Sequence, residues 1–189
     1  MSDLAWAQDH TNVLEFVMVS PNNLDEILGV IDNVDLDNSS ITWGYYTDTR
    51  VSAKLTLVDS NYIKGSFVRI IYKIPEFGYA VELGTFLPSD DPTTFQNGSW
   101  VTNLTLQSTM YAMDMDIDYR PILVKQGTSA MALWKQIVKS AKRQYIMMGP
   151  KDATYSSDYI LSDSQLSRID TLASDTDNRN DVDGHGRII

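Results

Sequence analysis

The sequence predicts an α+β protein in which β structure dominates. We expect an antiparallel barrel or sandwich with a packed amphipathic helix and a smaller C-terminal region of helix and loop. Between Ile41 and Met110, apolar and polar residues alternate in one segment after another. A period of two places successive side chains on opposite faces of a sheet. After Gln126 the apolar spacing becomes that of a helix.

The N-terminal part of the chain predicts a leader, a strand and a loop. Residues 1–12 are expected to be a flexible leader, and Val13–Val19 predicts the first strand. The apolar residues with helical spacing that follow are Leu24, Ile27, Leu28 and Ile31. Gly29 lies among them and disfavours a helix. Asp32–Ser40 is rich in turn-forming residues and is predicted to be a loop.

Five further strands are predicted, and they complete a β domain over residues 13–126. Their ranges are Ile41–Tyr45, Val51–Leu57, Phe67–Ile74, Tyr79–Leu87 and Trp100–Met110. An open loop is expected at Pro88–Gly98, and Met113–Asp118 is either an acidic strand or an exposed connection. The side chains predicted to be buried, including two from the helix described next, are Trp43, Leu55, Leu57, Ile70, Leu83, Phe86, Leu104, Leu106, Trp134 and Ile137.

Residues 127–189 predict a helical region that leads into a second subdomain, which the chain either completes or truncates. A helix is predicted over Ser129–Met147 because its apolar residues share one face, and Ser129 or Thr128 can cap its start. A second helix is predicted over Asp163–Ala173. A polar loop follows, and the apolar end Ile188-Ile189 is typical of a strand, so we expect more chain beyond it.

The composition fits a folded domain and narrows the function classes. The chain has 189 residues, of which 43% are hydrophobic, and no cysteine. It therefore has no disulfide framework, cysteine metal ligand or cysteine nucleophile. No segment approaches the roughly 20 apolar residues of a membrane span, so we expect no stable membrane insertion. The first ten residues lack the regions of a signal peptide, which agrees with folding in a cytoplasm.

The net charge of −10 argues against binding to nucleic acid. A protein that binds the phosphate backbone tightly presents a basic face, which releases counterions. We therefore expect no tight nucleic acid binding. The acidity is explained by solubility, or by a surface that DNA passes without adhering to it.

The acidic cluster Asp175–Asp183 invites comparison with a calcium loop. An EF-hand places oxygen ligands at positions 1, 3, 5 and 12 around a glycine at position 6. With Gly184 as that glycine, Asp181 and Asp183 take positions 3 and 5. However, Arg179 takes position 1, and position 12 lies beyond the last residue. We predict a solvated turn and no metal ligands.

The sequence shows no reaction centre. Its histidines, His10 and His185, have no partner at metal-ligand spacing, and no G-x-S-x-G elbow is present. Gly127-Thr-Ser129 and Asp183–Gly186 lack the lysine and second glycine of a phosphate loop. Glycoside hydrolysis needs only two carboxylates, but no pair is singled out among 25 acidic residues. We predict no enzyme, with no catalytic and no cofactor-binding residues and no cofactor.

Aromatic residues provide an alternative function. Those able to stack on sugar rings are Trp43, Tyr45, Tyr46, Tyr72 and Trp100. They keep open a carbohydrate-binding β-sandwich, as in an adhesin or receptor-binding module. Strand aromatics more often belong to the core or to cross-strand pairs. The basic residues between Lys135 and Arg143 can meet an acidic partner, but a solvated helix face is the simpler interpretation.

Short motifs along the chain also indicate a resemblance to a known family. They are the strands within Ile41–Asp59, the R.I.Y pattern of Val68–Tyr72, the LGTF pattern of Glu82–Leu87, the helix of Gln126–Val138 and the D..G.I turn of Val182–Ile188. In this order, over residues 13–189, they resemble the N-terminal part of a tailed-bacteriophage tail hub, a baseplate hub or tail-associated minor tail protein. The chain departs from that pattern where Ser108-Thr109 replaces an aspartate.

The resemblance implies a tail-tube-like β-barrel and a homotrimer around the tail axis. It implies contacts with other tail proteins, namely the distal tail ring, the tape measure and a fibre or lysin module. The protein would then be a structural component of the virion at the tail tip, forming a ring-like hub around the DNA channel. During assembly it would reside in the host cytoplasm.

Overall fold

The computed structural model describes residues 11–43, 51–116 and 120–189. The strands within these ranges are β1 (Val13–Ser20), β2 (Asn23–Val30), β3 (Val34–Trp43), β4 (Val51–Val58), β5 (Phe67–Ile74), β6 (Tyr79–Asp90), β7 (Thr93–Gln96), β8 (Ser99–Ser108), β9 (Ile122–Val124) and β10 (Tyr159–Leu161). The helices there are α1 (Tyr111–Asp114), α2 (Ala130–Ser140) and α3 (Gln165–Asp175). These strand ladders are antiparallel, which confirms the predicted β-dominated α+β class.

Within the described part of the chain, the main sheet has eight strands and is curled but not closed. Its order is β2-β1-β5-β6-β8-β4-β3, with β7 also paired to β8. β2 and β3 occupy opposite ends of this order, yet only residues 31–33 connect them. Four Cα–Cα steps of 3.8 Å span at most about 15 Å, so the sheet must curl until its two ends approach each other. The outcome is an open, barrel-like sandwich.

The concave face of the sheet holds the first core. In β4, every second residue from Val51 to Leu57 is buried, as the period of two predicts. The prediction is confirmed for the buried side chains of Leu55, Leu57, Ile70, Phe86, Leu104 and Leu106. Leu83 is only partly buried against this core. The prediction is wrong for Trp43, which is 60% exposed because it lies at the end of an outermost strand.

Two N-terminal segments differ from expectation because β-bulges interrupt the alternation. Three of the residues with helical spacing, Leu24, Ile27 and Leu28, lie in β2, and Ile31 follows it. β2 pairs with β1 through register shifts at Met18/Val19 and Val19/Ser20. The predicted loop at Asp32–Ser40 mostly belongs to β3, where the register shifts between Asp35 and Ser40. There, the Asp35 carboxylate accepts hydrogen bonds from the backbone of Asp37 and Asn38. The turn-forming residues thus build a bulge within a strand.

The predicted open loop at Pro88–Gly98 is also a strand in large part. β6 continues to Asp90, and β7 pairs with β8 from Thr93↔Thr102 to Gln96↔Ser99. The two-residue connection is Asn97-Gly98, with φ angles of 51° and 89°. Two consecutive positive φ angles are the geometry of a type I′ hairpin, for which Asn-Gly is the preferred sequence.

The C-terminal region forms a second core around the helices. α2 and α3 pack on each other and on the β9–β10 ribbon, and Trp134 and Ile137 are buried as predicted. α2 begins after Ser129, whose side chain caps it, but ends at Ser140, before the predicted Met147. Lys142 adopts a φ of 55°, which a continuing helix does not allow.

Among the remaining predicted elements, the second helix and the C-terminal loop lie near the predicted residues, whereas the described part of the acidic segment after Met110 does not form a strand. α3 overlaps the predicted second helix, and the last residues from Thr176 onward form a loop. Met113–Asp118 begins within α1 rather than as a strand, and residues 117–119 lie outside the described part. Ile188 is buried and bridges to Tyr145 and Val182. No helix among the described residues has the length and apolarity needed to cross a membrane.

Candidate assembly site

Among the described strands, the two ends of the curled sheet are free edges. Within these residues, β2 pairs only with β1, and β3 pairs only with β4. An outer strand presents backbone N–H and C=O groups that can pair with another chain. Backbone hydrogen bonds hold the connection between the edges on both sides, from Ile31 N to Phe16 O at 2.7 Å and from Val58 N to Asn33 O at 3.0 Å.

The two edges differ in how closely their exposed apolar residues are grouped. β2 exposes apolar side chains: Ile27 is 56% exposed, Leu28 43% and Val30 53%. β3 exposes Leu36 at 55% and Trp43 at 60%, seven residues apart. Both edge strands are bulged, and both carry acidic residues. Because exposed apolar residues on a free strand favour association, β2 is the stronger candidate for a contact with another chain.

The β7–β8 hairpin presents two further aromatic side chains. Phe95 is 61% and Trp100 58% exposed, and their ring centroids lie 5.1 Å apart. Asp59 holds the strand, since its carboxylate accepts from Trp100 N at 2.8 Å and its own N–H donates to Trp100 O at 2.8 Å. The first of these hydrogen bonds, with one from Ser99, lowers the pKa of Asp59.

The aromatics that the sequence singled out do not form one platform. Trp43 pairs with Val51 at one end of β4, whereas Trp100 lies beside Asp59 beyond the other end. About seven residues of strand separate them, which is on the order of 25 Å. Tyr72 packs edge-on against another tyrosine, and Tyr45 and Tyr46 lie outside the described residues.

A buried arginine organises the convex side of the sheet. Arg69, 3% exposed in β5, donates from Nε to Thr85 Oγ1 at 2.8 Å and from Nη1 to Glu82 Oε1 at 3.1 Å. Its Nη2 donates to the carbonyl oxygens of Leu24 at 2.7 Å and His185 at 3.3 Å. One guanidinium therefore joins β2, β5, β6 and the C-terminal loop.

The C-terminal loop docks onto this arginine through Gly184 and His185. Thr85 Oγ1 donates to Gly184 O at 3.0 Å. His185 Nδ1 lies 3.1 Å from Glu82 Oε2, and its Nε2 lies 2.9 Å from Asp25 Oδ1. A Cβ atom at Gly184 would lie 2.1 Å from the Glu82 carbonyl oxygen, so only glycine fits. We call the contact of residues 184–186 with the sheet the clasp.

The clasp brings together three of the motifs noted in the sequence. Arg69 belongs to the R.I.Y motif, Thr85 to the LGTF motif and residues 184–186 to the D..G.I turn. Thr109 is one of the two residues that stand where the tail-hub pattern has an aspartate. Its hydroxyl donates to Gly186 O at 2.7 Å. An aspartate carboxylate has no proton to donate there. The sequence did not predict this cluster, because its members lie up to 116 residues apart and no local pattern connects them.

The carboxylates of the acidic cluster Asp175–Asp183 are paired with nearby groups, including Tyr155 at Asp175 and Lys151 at Asp177. Asp183 accepts from Arg187 Nε at 2.8 Å and from the Arg187 backbone at 2.8 Å. Arg179 Nη2 lies 4.0 Å from Asp181. Across the described residues, no group of three or more His, Asp or Glu side chains is placed to hold a metal ion. The absence of a calcium site and of catalysis stays a prediction, and His10 lies outside the described residues.

Comparison with known proteins identifies the fold. No protein-family model and no curated protein matches the sequence. The tail protein from Neisseria meningitidis MC58 superimposes with a TM-score of 0.62 at 9% identity, covering 95% of this chain and 50% of that one. The 43 kDa tail protein of prophage MuSo2 from Shewanella oneidensis gives 0.61 at 11% identity, covering 95% and 55%. This chain has the fold of phage tail proteins.

The shared fold spans nearly the whole chain but not the whole of its neighbours. The chain covers about half the length of each of these two tail proteins. The sequence prediction of a phage tail fold is therefore confirmed, and the narrower predictions of a hub and a ring stay predictions.

Proposed function

We propose that the protein is a structural component of a phage tail tip. In this role it forms a ring-like hub around the DNA channel and links the tail tube or distal tail ring to the fibre or lysin module. The observation that carries the proposal is the fold shared with two phage tail proteins over 95% of the chain.

Two features of the chain support a ring. A closed ring uses head-to-tail interfaces, in which one surface meets a different surface on the next copy. The edges β2 and β3 are two different surfaces of the described part of the chain, as such an interface requires. The net charge of −10 suits a channel wall, because acidic side chains repel the DNA backbone and allow it to slide. We expect a trimer.

Electron microscopy of assembled particles tests the proposal. Particles of the phage that encodes this chain should show it on the tail axis, in a closed ring with acidic side chains facing the channel. The purified chain can remain monomeric if a neighbouring tail protein completes the interface, so the assembled particle is the relevant sample. Density away from the axis, as for a side fibre, would exclude the hub.

The alternative proposal is a carbohydrate-binding module in an adhesin or receptor-binding protein. Its support is the exposure of Trp43 and of the pair Phe95 and Trp100, since exposed aromatic rings can stack on sugars. Isothermal titration with cell-wall polysaccharide should then give binding that Trp100→Ala or Trp43→Ala removes. Titrations without heat above that of buffer, together with an axial ring in particles, favour the hub.

A further inference from the structure

The clasp places a single histidine between two carboxylates from distant strands. His185, whose side chain is 17% exposed, has Glu82 of β6 on Nδ1 and Asp25 of β2 on Nε2. An imidazolium donates from both nitrogens, whereas neutral imidazole donates from only one. Only the protonated ring can therefore satisfy both carboxylates.

We propose that His185 is a proton-dependent latch that ties the edge strand β2 to the C-terminal loop. When the ring is protonated, it bridges Glu82 and Asp25. When it loses a proton, one nitrogen presents a lone pair to a carboxylate, and that contact opens. This inference concerns the isolated chain and does not depend on the hub proposal.

The contact that opens is the one with Asp25. Glu82 is also held by Arg69 Nη1 at 3.1 Å and is 35% exposed at its side chain, whereas Asp25 is 74% exposed. Water readily replaces the imidazole at Asp25, and Glu82 retains its cation. Neutral His185 therefore keeps its N–H directed at Glu82 and releases the Asp25 side chain.

The other charged groups at the latch leave the direction of the effect unchanged. Arg69 disfavours the imidazolium, but its charge is directed at Glu82, and it meets His185 through the backbone carbonyl oxygen. On the loop itself, Asp183 and Arg187 pair with each other at 2.7 Å. Two carboxylates thus face the ring directly, and protonation strengthens the contact.

Release of the Asp25 side chain has a consequence for assembly. β2 is the free edge that exposes Ile27, Leu28 and Val30. A latched β2 is held in one register against β1, ready to pair with another chain. An unlatched β2 loses one of its two ties to the clasp and retains the bond from Arg69 to Leu24 O. The latch therefore makes the order of this edge depend on pH.

Amide hydrogen exchange across the pH range of histidine titration tests the latch. Protection of the β2 amides, corrected for intrinsic exchange, should fall by about threefold to fivefold from about pH 5.5 to pH 8.5, the strength of a partly exposed ion pair. Other strands should change less. A flat profile for β2 in the unmodified protein would overturn the proposal.

Matched variants identify the responsible group. His185→Gln should show low β2 protection at every pH, and Asp25→Asn should lose most of the pH dependence while leaving Arg69 and Glu82 in place. His10→Gln removes the chain's other histidine and should retain the full dependence. A dependence that persists in Asp25→Asn, or that vanishes in His10→Gln, would overturn the latch even if His185→Gln fails to fold.

Discussion

At the scale of the residue, Arg69 joins three strands and the C-terminal loop. Replacing it with Met keeps most of the side-chain volume but removes the donors to Thr85, Glu82 and Leu24 O. Unpaired acceptors in a largely buried site cost stability, so we expect a loss of about 3 kcal/mol in urea unfolding. Arg187→Met, which breaks the more exposed pair with Asp183, should cost less than about 1 kcal/mol. Equal losses in both variants would contradict this assignment.

A second residue-scale prediction concerns the sheet core. Leu55 is 2% exposed, so Leu55→Ala should destabilise the protein by about 2–5 kcal/mol through lost burial and a remaining cavity. Leu36, 55% exposed on β3, provides the control, and Leu36→Ala should change stability by less than about 0.5 kcal/mol. Thermal or urea unfolding of the two variants measures the difference. A small effect of Leu55→Ala would mean that the core face of β4 is misassigned.

At the scale of the element, Asp152 secures the start of α2. Its carboxylate accepts from the Ser129 hydroxyl at 2.8 Å and from Met131 N at 3.1 Å. The Ser129 hydroxyl is the main cause that lowers the pKa of Asp152, followed by the Met131 backbone N–H. Because the folded-state pKa is below its ordinary value, the carboxylate stabilises the fold above that ordinary value and loses its effect as pH falls below it.

The matching experiment compares the wild type with Asp152→Asn. The stability difference should be largest near neutral pH and should shrink as pH falls from about 5 toward 2, where the wild-type carboxylate becomes protonated. Urea unfolding at several pH values measures it. Ser129→Ala removes the helix cap as well and should cost about 1 kcal/mol at neutral pH. A difference between Asp152→Asn and the wild type that stays constant with pH would contradict this account of the cap.

At the scale of the whole molecule, the free edge β2 is expected to make the contact with the next copy. Ile27→Lys should leave the fold intact, since Ile27 is 56% exposed, but should exclude the protein from tails because a charge on a strand edge blocks pairing. Quantitative mass spectrometry of purified particles measures incorporation. Leu123→Lys is the control, as Leu123 is 54% exposed on the separate β9–β10 ribbon. Normal incorporation of Ile27→Lys would remove β2 from the interface.

The sequence by itself determined those elements whose local pattern is uninterrupted. β5 was predicted at Phe67–Ile74 and lies at those residues, and the apolar stripe of α2 predicted the burial of Trp134 and Ile137. Periodicity reports local backbone geometry, so it fails where bulges change the register, as in β2 and β3. Asn97-Gly98 is a sequence typical of a type I′ hairpin turn, so the sequence alone could have predicted the β7–β8 hairpin.

Only the tertiary structure decided the strand order and the contacts between residues that are distant in sequence. Trp43 has the alternation of a core residue, yet it is exposed because its strand is the last in the sheet. His185 and Asp25 meet across 160 residues of sequence because β2 lies beside the strands that carry the clasp. No local pattern contains this information, since contacts between distant residues depend on which edges the chain leaves open and where its end returns to the sheet.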